Sequence, residues 1–348
     1  MGRKGFAFGA VLTIARLAGP AGAVPTNVAG NTAEFLEIGA GGRALGMGDV
    51  AGPVVRGPES MYWNPAGLAV SARPEVAFSH AELDKFFRHD FLSYAHPVEA
   101  LGGTLGASLT LWTMDSLDAR TASNVDVGKF SPHSEAFSFA YARSFWKDTD
   151  MPARDREFFQ DTYDMPFTPR PLHDEDALWQ GALRAGVAFK VVNETIRTRH
   201  SSAVAFDGGA QFVPVQFPDM TLSMSFRNIG TRPVFVADRG TLPMQVDWGI
   251  GYDVRWNGHR VTPCAELVLP YFGDMYAKLG AEFAVQTGAN AEVFFRGGYK
   301  TVAAPYLSAL AGATVGVGFR VNRFQADVGF QPMAELENVL RLSLGYRF

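Results

Sequence analysis

The segment Leu340-Arg341-Leu342-Ser343-Leu344-Gly345-Tyr346-Arg347-Phe348 reads in twos. Its three leucines, Tyr346 and Phe348 share one face, while Arg341, Ser343, Gly345 and Arg347 share the other. Side chains of a strand alternate between faces, so this is a strand with one large apolar side and one polar or tiny side. The pattern holds upstream. Phe324, Ala326, Val328 and Phe330 oppose Gln325, Asp327, Gly329 and Gln331; Val315, Val317, Phe319 and Val321 oppose Thr314, Gly316, Gly318 and Arg320. It recurs over 75–81, 90–97, 102–112, 135–145, 181–193, 203–213, 220–229, 244–256, 259–269, 275–286, 290–300, 309–321, 323–331 and 339–348. That makes fourteen predicted strands, most about ten residues long, the length a tilted strand needs to cross a bilayer.

Many alternating strands can build a soluble sandwich or propeller, or a membrane barrel. A sandwich buries its apolar face and turns a charged face to water. Here the second face is glycine, serine, alanine or charge of mixed sign, and the apolar face is rich in aromatics. Outer-membrane barrels present an apolar band to lipid, a polar face to the lumen and aromatic girdles at both interfaces. Trp112, Trp146, Trp179, Trp256, Tyr271 and Tyr306 lie near predicted strand ends, as girdle residues would. The alternation therefore predicts an all-β fold, a fourteen-stranded antiparallel transmembrane β-barrel integral to the bacterial outer membrane and in contact with its lipid. Closure satisfies every backbone group within hydrocarbon, which an open sheet cannot do. With both termini periplasmic, turns after even strands should be short, and Asn257-Gly258 and Val321-Asn322 are. Loops after odd strands, such as 113–134, 230–243 and 301–308, are mostly longer. Residues 147–180 break the rule as an acidic periplasmic insertion, with nine acidic residues against Lys147, Arg154, Arg156 and Arg170.

Composition excludes other classes. Of 348 residues, 47% are hydrophobic and 19% charged, with 37 glycines and 28 phenylalanines, yet mean hydropathy is zero. No apolar run of about 20 residues suits a spanning helix, and the apolar content is too high for a disordered chain. The net charge of −4 and the lack of a basic block argue against nucleic acid. The single cysteine, Cys264, can form neither an internal disulfide nor a cysteine metal cluster. At the N-terminus, Arg3 and Lys4 precede an apolar stretch from Phe6 to Leu17, interrupted by Arg16, and then Ala21-Gly22-Ala23. This predicts a signal peptide over 1–23, with Val24 as the first mature residue.

Residues 24–72 do not alternate, and 73–348 form the predicted barrel. The intervening segment is too short for a domain and too glycine-rich for a helix. A fourteen-stranded barrel is wider than its own side chains can fill, so 24–72 is expected to be an N-terminal plug or hatch in the lumen. Gly39, Gly41, Gly46, Gly48 and Gly67 would let backbone approach the wall, and Asn64-Pro65 would start a turn or short helix. Arg43 and Trp63 complete the expected plug motif. The stretches "FLEIGAGGRALGMGDV" (35–50) and "MYWNPAGLA" (61–69) resemble the opening of the PorV/PorQ family, outer-membrane barrels similar in fold to FadL-type transporters. The resemblance extends to "FRNIG" at 226–230 and the terminal "LSLGYRF". It implies a fourteen-stranded barrel with an N-terminal segment in the lumen. Tyr346 and Phe348, aromatic and on the last strand, resemble the signal read by the barrel-assembly machinery.

Catalytic chemistry is not written in the chain. Gly46-x-Gly48-x-x-Ala51 lacks the strand–helix context of a dinucleotide loop. The seven histidines show no paired ligand spacing, and no G-x-S-x-G elbow occurs. No catalytic, cofactor-binding or metal residues are therefore expected. The charges predicted to face the lumen are of both signs: Arg227, Asp247, Asp253, Arg255, Glu266, Lys278, Glu282, Glu292, Arg296, Lys300, Arg320, Asp327 and Arg341. Mixed signs suit a network gripping the plug better than an ion-selective ring. Two non-enzymatic functions follow. The PorV resemblance implies an accessory of type IX protein export, with a secretion-machinery or secreted-protein partner at loops 113–134 and 230–243. The FadL likeness implies passive uptake of a hydrophobic small-molecule ligand, with Phe35, Leu36, Ile38, Met47, Met61 and Trp63 as apolar contacts. A third role is that of a structural barrel scaffolding other envelope proteins.

Overall fold

Alternation of large apolar with small or polar residues produces antiparallel strands joined edge to edge into a closed fourteen-stranded barrel. The computed structural model describes residues 32–83, 85–145, 181–214, 216–235, 238–256, 258–288, 290–302, 309–333 and 338–348. The expected leader (1–23) and acidic insertion (147–180) lie outside the described residues, as do Trp146, Trp179 and Tyr306. In chain order the strands are β1 (Glu75–Leu83), β2 (Phe87–Val98), β3 (Gly103–Met114), β4 (His133–Ser144), β5 (Gly181–Ile196), β6 (Arg199–Pro214) and β7 (Met220–Gly230). Then follow β8 (Gln245–Tyr252, continued by Val254–Trp256), β9 (His259–Pro270), β10 (Tyr276–Gly288), β11 (Ala291–Lys300), β12 (Ala313–Val321), β13 (Phe324–Gln331) and β14 (Val339–Arg347). Both parts of β8 pair with β9. The ring closes where β1 meets β14, with Glu75 opposite Arg347 and Glu82 opposite Leu340.

The two faces separate as the alternation requires. Phe139, Val187 and Leu344 are 63%, 61% and 61% exposed on the outside, whereas Arg341 and Ser343 are 1% and 3% exposed on the inside. An apolar belt running round the whole ring exceeds what a water-facing surface carries. The ring also leaves no unpaired strand edge in hydrocarbon. The protein is an integral outer-membrane barrel. Among the described residues no helix is long and apolar enough to cross a membrane.

Several local expectations need correction. Residues 309–312 form a 3-10 turn ahead of β12 rather than its first residues. The 113–134 and 230–243 connections are not plain loops. Leu117–Arg120 pairs with Asp126–Phe130, and Val234–Phe235 with Asp238–Arg239. Trp112 is not a girdle residue. It pairs with Ser134 on the inward parity of β3, stacks on Phe87 with ring centres 5.5 Å apart and packs against the cluster containing Leu36. Trp256 and Tyr271, 71% and 59% exposed near strand ends, do face outward.

Residues 32–72 run inside the ring as four short elements: a 3-10 turn at Glu34–Glu37, α1 (Gly42–Gly46), α2 (Ser60–Trp63) and a second 3-10 turn at Pro65–Val70. Helix α1 contradicts the expectation that this stretch is too glycine-rich for a helix. Its five residues could not hold a helix alone. Packing supplies what propensity does not, because α1 lies directly on the backbone of the wall. A Cβ on Gly46 would come within 2.9 Å of Gly316 Cα. At Gly48, where φ is +68°, it would stand 2.7 Å from Leu279 O and Tyr299 N. Across from Gly48, the wall residue Gly298 has no room for a Cβ against the backbone of Met47 and Gly48.

This contact gives a test. Gly298→Val forces the inner segment off the wall, and overpacking of this kind costs about 1–3 kcal/mol. The temperature at which the folded barrel loses its fast electrophoretic mobility should fall. Gly297→Val, where a Cβ meets nothing within 4 Å, should leave it unchanged. Equal temperatures for the two variants would contradict the close approach.

Candidate functional site

A glycine-rich chain has few side chains with which to satisfy its own amides, and buried amides need partners. The inner segment finds them on the wall. Gly41 N–H donates to Ser79 Oγ of β1 (2.9 Å) and Gly42 N–H to Ser343 Oγ of β14 (3.0 Å). Gly48 N–H donates to Thr314 Oγ1 of β12 (2.9 Å) and Gly52 N–H to Glu266 Oε2 of β9 (2.9 Å).

Charge fixes the same segment from several sides. Arg341 donates to Asp49 Oδ1 (2.8 Å) and to the carbonyls of Ile38 (2.6 Å) and Gly41 (3.4 Å). Lys300 reaches Asp49 Oδ2 at 2.7 Å. Burial would raise the Asp49 pKa, but Lys300 and Arg341 outweigh it and hold this carboxyl well below the usual range. Arg43 forks onto Glu282 of β10 (2.8 and 2.9 Å) and donates to Val54 O (3.1 Å). Glu282 also accepts from Arg260 (3.0 Å) and Arg296 (2.7 Å), and Arg296 continues to Asp327 (2.8 Å). Removing one member of a buried ion pair costs about 3–5 kcal/mol, because its partner is left charged and dry.

The aromatic residues carry the same logic. Tyr62 Oη accepts from Gly39 N–H and donates to Leu36 O, both at 2.8 Å, and burial pushes its phenol up to about 12. Trp63 Nε1–H donates to Ala40 O (3.0 Å), and its ring lies 5.2 Å from the Arg227 guanidinium and 5.3 Å from Lys278 Nζ. These distances suit cation–π attraction in a desolvated place. Asn64 caps the second 3-10 turn by accepting from Ala66 N–H (3.0 Å), and its amide donates to Ala210 O and Met224 O at 3.2 Å each. Pro65 lies against Gly186 of β5, and Gly67 O accepts from Gly57 N–H (3.1 Å).

The six apolar candidates do not meet in one place. Phe35, Leu36 and Ile38 pack with Ala136, Val192 and Leu242, whereas Met47, Met61 and Trp63 join a second cluster with Val50 and Phe91. Leu36 and Met61 line a common cavity, with Tyr62 and Phe91, of about 10 Å³. That is room for about one water molecule. A far larger cavity of about 480 Å³ opens at the barrel end that carries Glu75 and Arg347. Glu59 of the inner segment stands at its floor. Burial and then the nearby Asp327 raise its carboxyl to about 7, against the opposing pull of Arg43, Ser343 and Arg296. Tyr346 and Phe348 form an edge-to-face pair at the rim, 5.0 Å between ring centres.

Sequence reasoning did not single out Asp49, Glu59 or Tyr62. It also missed a buried group across β5, β6 and β7. There Lys190 Nζ meets Asp207 (2.6 Å) and Asn228 Oδ1 (2.8 Å), and Asn228 N–H donates to Asp207 Oδ1 (2.8 Å). Asn228, at φ +59°, sits where the β6–β7 register shifts, and its amide donates to Pro243 O (3.0 Å). The "FRNIG" stretch thus makes a bulge that turns Asn228 into the wall's polar interior. The one sequence signal was a lone lysine between Ala188 and Val192 on an inward face.

Comparison with known proteins locates the fold. No protein-family profile matches the chain, and no curated protein does. Among solved structures, the toluene transporter TbuX of Ralstonia pickettii aligns with a TM-score of 0.52 at 12% identity, over 89% of this chain and 98% of that one. The P. putida toluene transporter TodX aligns with a TM-score of 0.52 at 9% identity, over 89% and 99%. The CymD monoaromatic hydrocarbon channel gives 0.51 at 13% identity, over 89% and 98%. At these identities the likeness concerns the fold, and it bears out the FadL-like fourteen-stranded barrel.

Glu59 yields a pH prediction. Its carboxyl in the fold titrates near 7, above the ordinary 4.5. Its contribution to stability is therefore complete below about 4.5 and is lost as pH rises through about 7. The thermal midpoint of the barrel should fall between about pH 4.5 and pH 7 and level off above, and Glu59→Gln should flatten that fall. An identical pH profile in the variant would contradict the assignment.

Proposed function

We propose that the protein is a non-enzymatic outer-membrane barrel for passive uptake of hydrophobic small molecules, with residues 24–72 as the plug that keeps it closed to water and ions. The observation that carries the proposal is occlusion. A barrel of this width would hold an aqueous channel if empty, yet its interior is occupied by the buried residues Met47, Met61, Trp63 and Leu68 and by the ion pairs at Asp49 and Glu282. Hydrophobic solutes need no continuous water path. They can pass by successive apolar contacts, so a closed barrel serves them where it would defeat a general porin. The likeness in fold to transporters of toluene and a channel for monoaromatic hydrocarbons supports the same reading. The small cavity between Leu36, Met61, Tyr62 and Phe91 lies on the proposed path. The proposed apolar contacts are Phe35, Leu36, Ile38, Met47, Met61 and Trp63.

A second reading has one observation in its favour. The 113–134 connection folds as a projecting hairpin that leaves Leu117, Val125 and Val127 exposed, 37%, 59% and 46% respectively. In the export role implied by the PorV/PorQ resemblance, this surface would receive a secretion-machinery or secreted-protein partner.

Uptake of radiolabelled toluene by cells with and without the barrel separates the two. The uptake role predicts a several-fold faster initial rate with the barrel, and a loss of that gain with Met61→Trp, which fills the cavity. Equal rates with and without the barrel, together with loss of a surface-attached protein from cells lacking it, would overturn uptake in favour of export.

A further inference from the structure

The lipid-facing belt is broken on β1 and β2. Inward parity on β2 belongs to His89, Phe91, Ser93 and Ala95, each at most 1% exposed, so Arg88, Asp90, Leu92, Tyr94 and His96 face outward. On β12 the outward face is Val315, Val317, Phe319 and Val321, and on β14 it is Leu340, Leu342, Leu344 and Tyr346. On β1, the buried Ser79 and Ala81 point inward and leave His80 outside. His80 stands directly opposite Asp90, with Nδ1 2.7 Å from Asp90 Oδ1. The pair lies within the belt. Leu342 on β14 is opposite His80 and Leu111 on β3 is opposite Asp90, while Leu340 carries the belt one step further, opposite Glu82. Phe78 and Leu92, 41% and 47% exposed and opposite each other, continue it on the other side. Arg88, next to the strand end, is answered by Asp115 (2.9 Å). Ionisable groups on the lipid face of a barrel are costly in a depth-dependent way, and each unmet donor or acceptor adds to that cost. Among the described residues the side chains of His80 and Asp90 bond only each other, which leaves His80 Nε2 and Asp90 Oδ2 unmet.

We infer that the outer face of β1 and β2 is an interface with a second copy of this chain. Two copies inserted in one membrane with the same orientation share a two-fold axis only along the membrane normal, so each surface residue meets groups at its own depth. An axis passing between β1 and β2 sets β1 of each copy against β2 of the other. The cross-strand register holds His80 and Asp90 at nearly one depth, so His80 of each copy meets Asp90 of the other. As an imidazolium, His80 donates from both ring nitrogens. Nδ1–H goes to its own Asp90, and Nε2–H goes to Asp90 Oδ2 of the second copy. The two pairs close into a ring of alternating charge in which all four groups are met, with Phe78 and Leu92 packed beside it. Polar contacts of this kind join surfaces inside a membrane, where lipid is as apolar as any partner and burial alone gives no drive. An acyl chain offers neither donor nor acceptor. A two-fold mate offers both, because this surface carries both. The inference is independent of the uptake role and can fail without it.

Native mass spectrometry of the whole barrel released from lipid nanodiscs tests the interface, with fast electrophoretic mobility as the check that each variant is folded. The expected result is a dimer for the unaltered protein. His80→Ala/Asp90→Ala, at outward positions that leave the closed ring intact, should lower the dimer-to-monomer ratio about tenfold. The exchange His80→Asp/Asp90→His keeps the complementarity and should restore the dimer, whereas Asp90→His alone sets like groups together and should not. A monomeric unaltered barrel, a dimer that the double alanine variant leaves unchanged, or an exchanged pair that stays monomeric would overturn the interface. A monomer carrying a bound lipid or a different membrane protein, lost in the double alanine variant, would overturn the second copy as its occupant.

Discussion

One carboxylate of the inner segment, Asp49, is shared by Lys300 of β11 and Arg341 of β14, and much of the interior depends on that arrangement. Arg341 adds the carbonyls of Ile38 and Gly41, so a single guanidinium fixes three places along the segment. Charges taken out of water are tolerated only when paired and fully hydrogen-bonded. The wall therefore requires the segment as much as the segment requires the wall. Without Asp49, the buried cations of β11 and β14 would face each other with no counter-charge. Without Arg43, the carboxylate of Glu282 would lose a bidentate partner.

Close approach is the second half of the same constraint. The hydrogen bonds from Gly42, Gly48 and Gly52 to the wall are made where a Cβ would stand 2.7–2.9 Å from wall atoms, so a side chain there would push the segment away. Steric and electrostatic fit thus meet on the same few residues. The outside of the barrel answers to a different solvent, and its belt of Phe139, Val187 and Leu344 faces lipid, not partners within the chain.

The wall was legible in the sequence because its signal is local. Strand side chains alternate with period two, so each segment announces its own faces. The mixed-sign charges expected on the inner face are there, with Arg341, Glu282, Lys278 and Glu266 each at most 3% exposed. The interior contacts were less legible because they join residues far apart in the chain. Nothing near Gly48 in sequence says that Gly298 faces it, and nothing near Asp49 names Lys300 and Arg341. Trp112 shows the converse error, since nearness to a strand end suggested a girdle while the parity of β3 sends it inward. Helix α1 is a similar case, where packing on the wall overrides five residues of poor propensity.

Residue-resolved hydrogen exchange of the purified barrel tests the central claim most directly. If the inner segment is held by the wall, the amides of Gly41, Gly42, Gly48 and Gly52 exchange as slowly as the amides of β12 and β14. Exchange of those four amides at the rate of the exposed 121–125 turn, with the barrel strands still protected, would contradict it.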